Sequence, residues 1–246
     1  MTIDSLHECD TAICLCHRPA EAAAAPAGWS RRGLLVAGAA SGVLAAYGLG
    51  LPALAQSKLT AGAALQALMD GNARFVARKL KLFEEDLAIL QRQTAEKQEP
   101  FASVLSCADS RVPVELLFDQ SIGHIFVNRV AGNIATSEII ASIEYGVAVL
   151  GTRVLMVLGH SGCGAVKAAM SAKAVPGQIS SLYRYIRPAV DEAKNDFGGT
   201  IRANARMQAR LLRTSSPVIA DALKAGSLKV VAAYYDLASG KVQLLD

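Results

Sequence analysis

The sequence predicts an α/β fold, a single domain in which a central, mostly parallel β-sheet is flanked by helices. Three short apolar segments, at residues 101–106, around 125–127 and at 153–158, have the length of buried strands. Between the second and third, residues 136–151 show the spacing of an amphipathic helix. A strand, a helix and a strand in succession indicate parallel strands joined by a right-handed crossover.

The elements on either side of this unit follow from the same spacing rules. The helix at 136–151 begins at Thr136, has Glu138 in its first turn and ends at Gly151. We find no internal repeat or low-complexity tract after residue 55. The other predicted elements are helices at 60–79, 83–97, 164–172, 179–194, 200–213 and 217–224, a β-branched segment at 227–237 and a short strand at 241–245.

The amino-terminal residues differ in composition from the rest of the 246-residue chain. Arg31 and Arg32 precede an almost wholly apolar stretch at 33–55, and mixed globular composition begins near Gln56. Paired arginines before such a stretch resemble a twin-arginine export signal. The sequence therefore predicts that residues 1–55 are a leader.

We expect cleavage of this leader after Ala55, which leaves residues 56–246 as the domain and places it in the periplasm. The alternative is an uncleaved segment at 33–55 that anchors the protein to the inner membrane. We expect contact with the membrane only through residues 33–55, if they remain uncleaved.

The charge of the predicted domain argues against one class of partner, and its cysteines are few. Residues 56–246 carry 22 basic and 17 acidic side chains, a net charge of +5. The basic residues are scattered over predicted helices without interleaved aromatic residues, which argues against a nucleic-acid partner. Two of the five cysteines, Cys107 and Cys163, lie in the predicted domain.

Polar side chains follow two of the predicted inner strands. Cys107, Asp109 and Arg111 come directly after the strand at 101–106, and His160 and Cys163 follow the strand at 153–158. Because sites in open parallel sheets are built at the carboxyl ends of the strands, we expect both groups to meet at one edge.

Several interpretations of these residues compete. A single buried cysteine is usually an inert core residue. A Cys107–Cys163 disulfide is natural in an exported protein, but it gives the neighbouring His and Asp no role. A Cys–His nucleophile leaves the second cysteine, Asp109 and Arg111 unused. Cysteine, histidine and aspartate are all zinc ligands, so a zinc site uses most of the set.

The two motifs also carry a family resemblance. "SCADSRVPVE" and "GHSGCGAV", about fifty residues apart, resemble the paired signature of the β-class carbonic anhydrases. The similarity extends over nearly all of residues 56–246 through "ALQALMDGNARF", "FVNRVAGN", "SIEYGVAVLG" and "YYDLASGKV".

This resemblance implies a role for each residue of the two motifs. Cys107, His160 and Cys163 would bind Zn²⁺, leaving the fourth position to water or, in a closed state, to Asp109. Arg111 would hold the Asp109 carboxylate away from the metal. The implied reaction is reversible hydration of carbon dioxide to bicarbonate and a proton by zinc-bound hydroxide.

The resemblance extends to residues outside the motifs. Gln98 and Tyr145 match substrate-positioning residues of some members. Val104 stands where members with a bicarbonate-controlled closed state have tryptophan, so we expect an open, water-bound zinc. We expect His124 to be a strand-edge histidine rather than a proton shuttle.

The resemblance further implies a homodimer or a tetramer of dimers, with sites near subunit interfaces and amino-terminal helices that cross to the partner. Two other functions share the same scaffold. One is hydrolysis of carbon disulfide or carbonyl sulfide. The other is a non-catalytic zinc-binding relative, against which the intact Asp109 and Arg111 argue.

Overall fold

The computed structural model describes residues 57–82 and 87–245, and the predicted leader at 1–55 lies outside these residues. The central sheet consists of β1 (Ala102–Ser106), β2 (Ile125–Arg129), β3 (Val154–His160), β4 (Lys229–Tyr235) and β5 (Val242–Leu245). The strand order is β2-β1-β3-β4-β5. The first four strands are parallel and β5 is antiparallel to β4, which confirms the predicted mostly parallel sheet.

Helices connect the strands and cover the sheet. Four of them begin at a side chain, Thr60, Thr136, Asp196 or Ser216, whose oxygen accepts a backbone N–H of the first turn. Within the described ranges, no helix is long and apolar enough to span a membrane. The helices are α1 (Ala61–Val76), α2 (Leu87–Thr94), α3 (Val114–Leu117), α4 (Ser137–Ala148), α5 (Gly164–Ser171), α6 (Tyr183–Glu192, preceded by a 3₁₀ turn at Ile179–Leu182), α7 (Phe197–Ser215) and α8 (Pro217–Lys224).

Several helices differ from the sequence prediction, among them α2, α3 and α7. α2 ends at Thr94 rather than at residue 97. The single turn of α3 was not predicted, since four residues are too few to show a helical period. α7 begins three residues early because the Asp196 side chain accepts the N–H of Gly199.

Both faces of the sheet are buried. Val104 of β1 packs in one apolar cluster with Leu68 of α1, and its neighbour Leu105 packs in a second cluster with Leu212 of α7. Every residue of β1 and β3 is buried. This double burial explains why the inner strands read as continuous apolar runs rather than as an alternating pattern.

Asn72 of α1 fastens that helix to the far end of the sheet. Its amide nitrogen donates to the carbonyl oxygens of Leu117 and Gly240, at 3.2 and 2.9 Å. Its amide oxygen accepts the N–H of Val242 at 2.9 Å. The side chain is 4% exposed, so these bonds offset the cost of burying the amide.

Asp119 ties α1 to the segment that precedes α2. Its buried carboxylate accepts hydrogen bonds from the Arg74 side chain and from the backbone N–H groups of Lys81 and Leu82. Burial by itself would raise the pKa of Asp119, but these three donors outweigh it and lower that pKa below its ordinary value.

We expect Asp119→Asn to lower the free energy of unfolding by about 2 kcal/mol at neutral pH, because charge-assisted hydrogen bonds are lost. A carboxylate with a lowered folded-state pKa contributes stability above its unfolded pKa of about 3.9 and loses it as the pH falls through the folded-state value. The difference in unfolding free energy between wild type and variant should be constant above about pH 5 and shrink below about pH 4.

Glu99→Gln is the matched control for this urea-unfolding series. It removes the exposed Lys97–Glu99 pair, 3.0 Å apart, and should leave the free energy of unfolding almost unchanged. A difference between wild type and Asp119→Asn that does not depend on pH would contradict the role of the Asp119 charge.

Candidate metal centre

The candidate centre lies at the carboxyl ends of β1 and β3. The chain runs from β1 to β2 on one side and returns to β3 on the other, so the strand order reverses around β1. Ligand sites in open α/β sheets form in the crevice at such a reversal. The structure therefore places both sequence motifs at one edge, as predicted.

Cys107 follows β1 and is 4% exposed. Its sulfur accepts the backbone N–H of Gly132 at 3.3 Å. Gly132 has a positive φ of 82°, and a Cβ at this position would lie 2.8 Å from the Cδ1 of Ile186. Only glycine therefore fits the turn that brings this N–H to the sulfur.

His160 ends β3 and is fully buried. Its Nδ1 lies 2.9 Å from the carbonyl oxygen of Ser161, which favours the tautomer with a proton on Nδ1. Nε2 is then a lone-pair donor, and it is buried without a hydrogen-bond partner. A buried imidazole nitrogen left in this state is suited to a metal ion.

Cys163 occupies the N-cap position of α5, directly after Gly162. Gly162 has a φ of 68°, so the chain turns sharply between His160 and Cys163. The sulfur is close to the free N–H groups of the first turn, and those of Val166 and Ala165 favour its thiolate form.

The ligand atoms of Cys107, His160 and Cys163 all lie within 4.8 Å of one another. In the part of the chain that the structure describes, this is the one group of three or more His, Cys, Asp or Glu side chains close enough to share an ion. Two sulfurs and one imidazole suit zinc, and three protein ligands are typical of catalytic zinc sites, which keep a fourth position open.

The electrostatics of the two thiols also fit a cation. The neighbouring Cys163 thiol lowers the pKa of Cys107, although burial opposes this change. The neighbouring Cys107 sulfur, together with burial, raises the pKa of Cys163 far above its usual range. Both sulfurs can carry a negative charge at neutral pH only if a cation offsets the repulsion between them.

Asp109 and Arg111 form a bidentate pair beside these ligands. Arg111 donates its Nε to Oδ1 of Asp109 at 2.9 Å and its Nη2 to Oδ2 at 2.7 Å, and its backbone N–H also bonds Oδ1. These bonds hold the pKa of Asp109 well below its usual range. Nη2 also donates to the carbonyl of Gly162 at 3.2 Å, which links the pair to the turn before Cys163.

The Asp109 carboxylate faces the ligand group while it remains paired with Arg111. Its Oδ2 is 3.8 Å from Nε2 of His160. This arrangement is the one expected for an open site, and the absence of a closed state in solution stays a prediction. Val104, which stands where members with a closed state have tryptophan and so led to this prediction, is fully buried in β1.

Arg129 is a site residue that the sequence analysis missed. At the end of β2, it donates Nε to the carbonyl oxygen of Cys107 at 3.0 Å and Nη2 to that of Asp109 at 2.6 Å. Arg129 therefore holds the main chain that carries the Cys107 and Asp109 side chains. The signal was its position at the carboxyl end of a strand next to β1.

Gln98 and Tyr145 lie together, but not at this centre. Gln98 precedes β1 and Tyr145 is in the last turn of α4, and both line a pocket with Thr94 and Leu150. This pocket is at the amino ends of the strands, and β1 alone separates the two edges by roughly 16 Å. The structure therefore brings these two residues to each other and not to the ligands of their own chain.

His124 also lies at the amino edge of the sheet, directly before β2. Its ring packs against Phe101, with 6.3 Å between ring centroids. Its position at the edge opposite to the ligand group agrees with the expectation of a strand-edge histidine.

Known proteins resemble this chain in sequence and in fold. A sequence profile of the carbonic anhydrase family matches residues 102–242. The carbonic anhydrase of Mycolicibacterium smegmatis is 36% identical over 197 residues, which cover 74% of this chain and 92% of the relative. Carbonic anhydrase 2 of Mycobacterium tuberculosis is 36% identical over 192 residues, which cover 75% of this chain and 92% of the relative.

Solved structures give the class within the family. The β-carbonic anhydrase CafA of Aspergillus fumigatus matches with a TM-score of 0.60 and 25% identity, over 74% of this chain and 90% of that one. A Coccomyxa β-carbonic anhydrase matches with a TM-score of 0.59 and 25% identity, over 74% and 86%. The chain belongs to the carbonic anhydrase family, and its fold is that of the β class. The predicted enzyme class, a carbonic anhydrase, is confirmed.

Proposed function

We propose that this carbonic anhydrase hydrates carbon dioxide with Zn²⁺ held by Cys107, His160 and Cys163. The observation that carries the proposal is the buried group of Cys107, His160 and Cys163, whose ligand atoms lie within 4.8 Å of one another and whose imidazole Nε2 has no hydrogen-bond partner. In carbonic anhydrases with three histidine ligands, zinc lowers the pKa of bound water from 15.7 to about 7, which supplies hydroxide at neutral pH.

Asp109 would orient the reacting oxygen. Because Arg111 keeps its pKa low, the carboxylate is ionised at neutral pH and acts only as a hydrogen-bond acceptor. It can therefore bind a group that carries a proton and direct the oxygen lone pair elsewhere. The two hydrogen bonds from Arg111 fix which way the carboxylate points.

The surroundings of the centre favour a small apolar substrate. The two cysteines pack in a cluster with apolar side chains such as Ile134 and Val166, both almost fully buried. On the other side, the Arg111 side chain is 55% exposed, so the Asp109–Arg111 pair borders solvent. A proton released by the reaction can leave towards that side.

The sulfur-substrate alternative is not favoured, since the relatives named above are carbonic anhydrases. The non-catalytic alternative leaves the Asp109–Arg111 pair without a purpose, because a structural zinc site needs no acceptor beside an open position.

We also propose a homodimer or a tetramer of dimers in which Gln98 and Tyr145 serve the site of a partner subunit. Both residues lie far from their own ligand group, and Tyr145 is 47% exposed. Within the described residues, β2 pairs on one side only, and Phe126 of this edge strand contacts the Tyr145 ring. An apolar edge strand of this kind is suited to contact with a second copy.

We propose, finally, that residues 1–55 export the domain to the periplasm. The support is the order of Arg31, Arg32, the apolar stretch at 33–55 and the small residues that end it.

Asp109→Asn should lower the rate of carbon dioxide hydration by about 100-fold or more, because the amide no longer acts as a pure acceptor. Zinc content should remain that of wild type, since none of the three ligands is changed. Stopped-flow hydration and zinc stoichiometry on the same samples test both statements. Cys163→Ser is the control that should lose zinc and activity together. A zinc-loaded Asp109→Asn enzyme with the wild-type rate would rule out the assigned role.

Gln98→Ala should lower the hydration rate about tenfold, the effect of one lost hydrogen bond. Double tagging allows purification of oligomers that contain one Asp109→Asn chain and one Gln98→Ala chain. If Gln98 acts across the interface, the site with an intact Asp109 receives the intact Gln98 of the other chain. Activity should then rise to about half that of wild type per pair of chains. If mixed oligomers are no more active than the two parents, Gln98 does not act across an interface.

Intact-mass measurement on periplasmic protein should give a chain that begins at Gln56. Replacing Arg31 and Arg32 with lysine should keep the protein in the cytoplasm, because the twin-arginine signal is lost. A mass that includes residues 33–55 would support the membrane anchor instead.

A further inference from the structure

Two buried amide side chains on α7 form a relay behind the centre. Asn204 and Gln208 are one helical turn apart and are 0% and 3% exposed. The Gln208 amide nitrogen donates to the Asn204 amide oxygen at 3.2 Å. Burying two amides is costly unless their polar atoms are paired, so their partners must account for their presence.

Both amides bond the loop that follows β2. Gln208 accepts the N–H of Ala135 through Oε1 at 2.9 Å, and Asn204 donates Nδ2 to the carbonyl oxygen of Gly132 at 2.9 Å. Because Oε1 must face an N–H group, Gln208 directs its nitrogen to Asn204 and to the carbonyl of Tyr185. The Asn204 oxygen then faces Gln208, so the Asn204 nitrogen faces Gly132. Only this orientation of the two amides gives all these donors and acceptors a partner.

The loop held in this way delivers a hydrogen bond to a metal ligand. Gly132, whose carbonyl bonds Asn204, donates its own N–H to the sulfur of Cys107. The side chain of Ile186 occupies the space beside the Gly132 Cα, where a Cβ would lie 2.8 Å from its Cδ1. The position of the N–H relative to the sulfur therefore depends on the two amides.

We propose that Asn204 and Gln208 are positioning residues for the metal ligand Cys107. They aim the Gly132 N–H at the sulfur and so set how firmly this ligand holds the ion. The inference rests on the proposed zinc site. Outer-sphere hydrogen bonds to metal ligands typically change metal affinity by 10- to 100-fold, and the residues that orient such a donor should share in that effect.

Asn204→Asp tests the relay with little change in volume. It replaces the nitrogen that faces Gly132 with an oxygen, which repels the Gly132 carbonyl. We expect zinc to transfer to a chelator about tenfold faster than from wild type under native conditions. In cobalt-substituted protein, the sulfur-to-metal charge-transfer band should shift. Gln208→Glu, which keeps the acceptor for Ala135 but loses both donors, should act in the same direction and serves if Asn204→Asp does not fold.

Asn72→Asp is the matched control, since Asn72 is another buried amide with three backbone partners, located between α1 and β5. It should destabilise the fold yet leave the zinc-release rate within about twofold of wild type. Equal acceleration in Asn72→Asp, or an unchanged rate and charge-transfer band in both relay variants, overturns the inference. Wild-type protein that retains no zinc overturns the proposed metal site itself.

Discussion

Cys107 and Cys163 bring two sulfur atoms within 4.8 Å of each other in a buried part of the protein. Without a cation, one sulfur ionises easily and the other holds its proton, because two adjacent negative charges in low dielectric repel each other strongly. The surrounding donors lower this repulsion but do not remove it. A divalent cation would, and the unpartnered nitrogen of His160 would supply the third ligand from the adjacent strand.

The sheet creates this contact through the pairing of β1 with β3. Ser106 pairs with Leu158, so Cys107 and His160 leave neighbouring strands at nearly the same level. A slip of one residue would exchange the two faces of β1, so Val104 and Leu105 would no longer meet the apolar clusters that they fill. The packing of Leu68 on one face and Leu212 on the other therefore fixes the site as well as the fold.

The inner strands, the crossover helix and the grouping of Cys107, His160 and Cys163 could be predicted from the sequence because each depends on local patterns. Apolar runs mark strands buried on both faces, and Cys107 and Asp109 stand two residues apart. The strand order had to come from the structure. The same holds for Asn204, which contacts Gly132 across 72 positions and has no local signal. The amino-edge location of Gln98 and Tyr145 also needed the three-dimensional arrangement, since a motif match gives identity and not distance.

The charges of the centre suit a neutral substrate and an anionic product. Two thiolates would offset a divalent ion, and Arg111 offsets Asp109 through two parallel hydrogen bonds. The other nearby cation, Arg129, is directed to the carbonyl oxygens of Cys107 and Asp109 rather than to the open position. Carbon dioxide carries no charge, so the site needs no uncompensated cation to attract it. Bicarbonate, once formed, meets no unpaired positive charge among these groups, and this balance favours its departure over its retention.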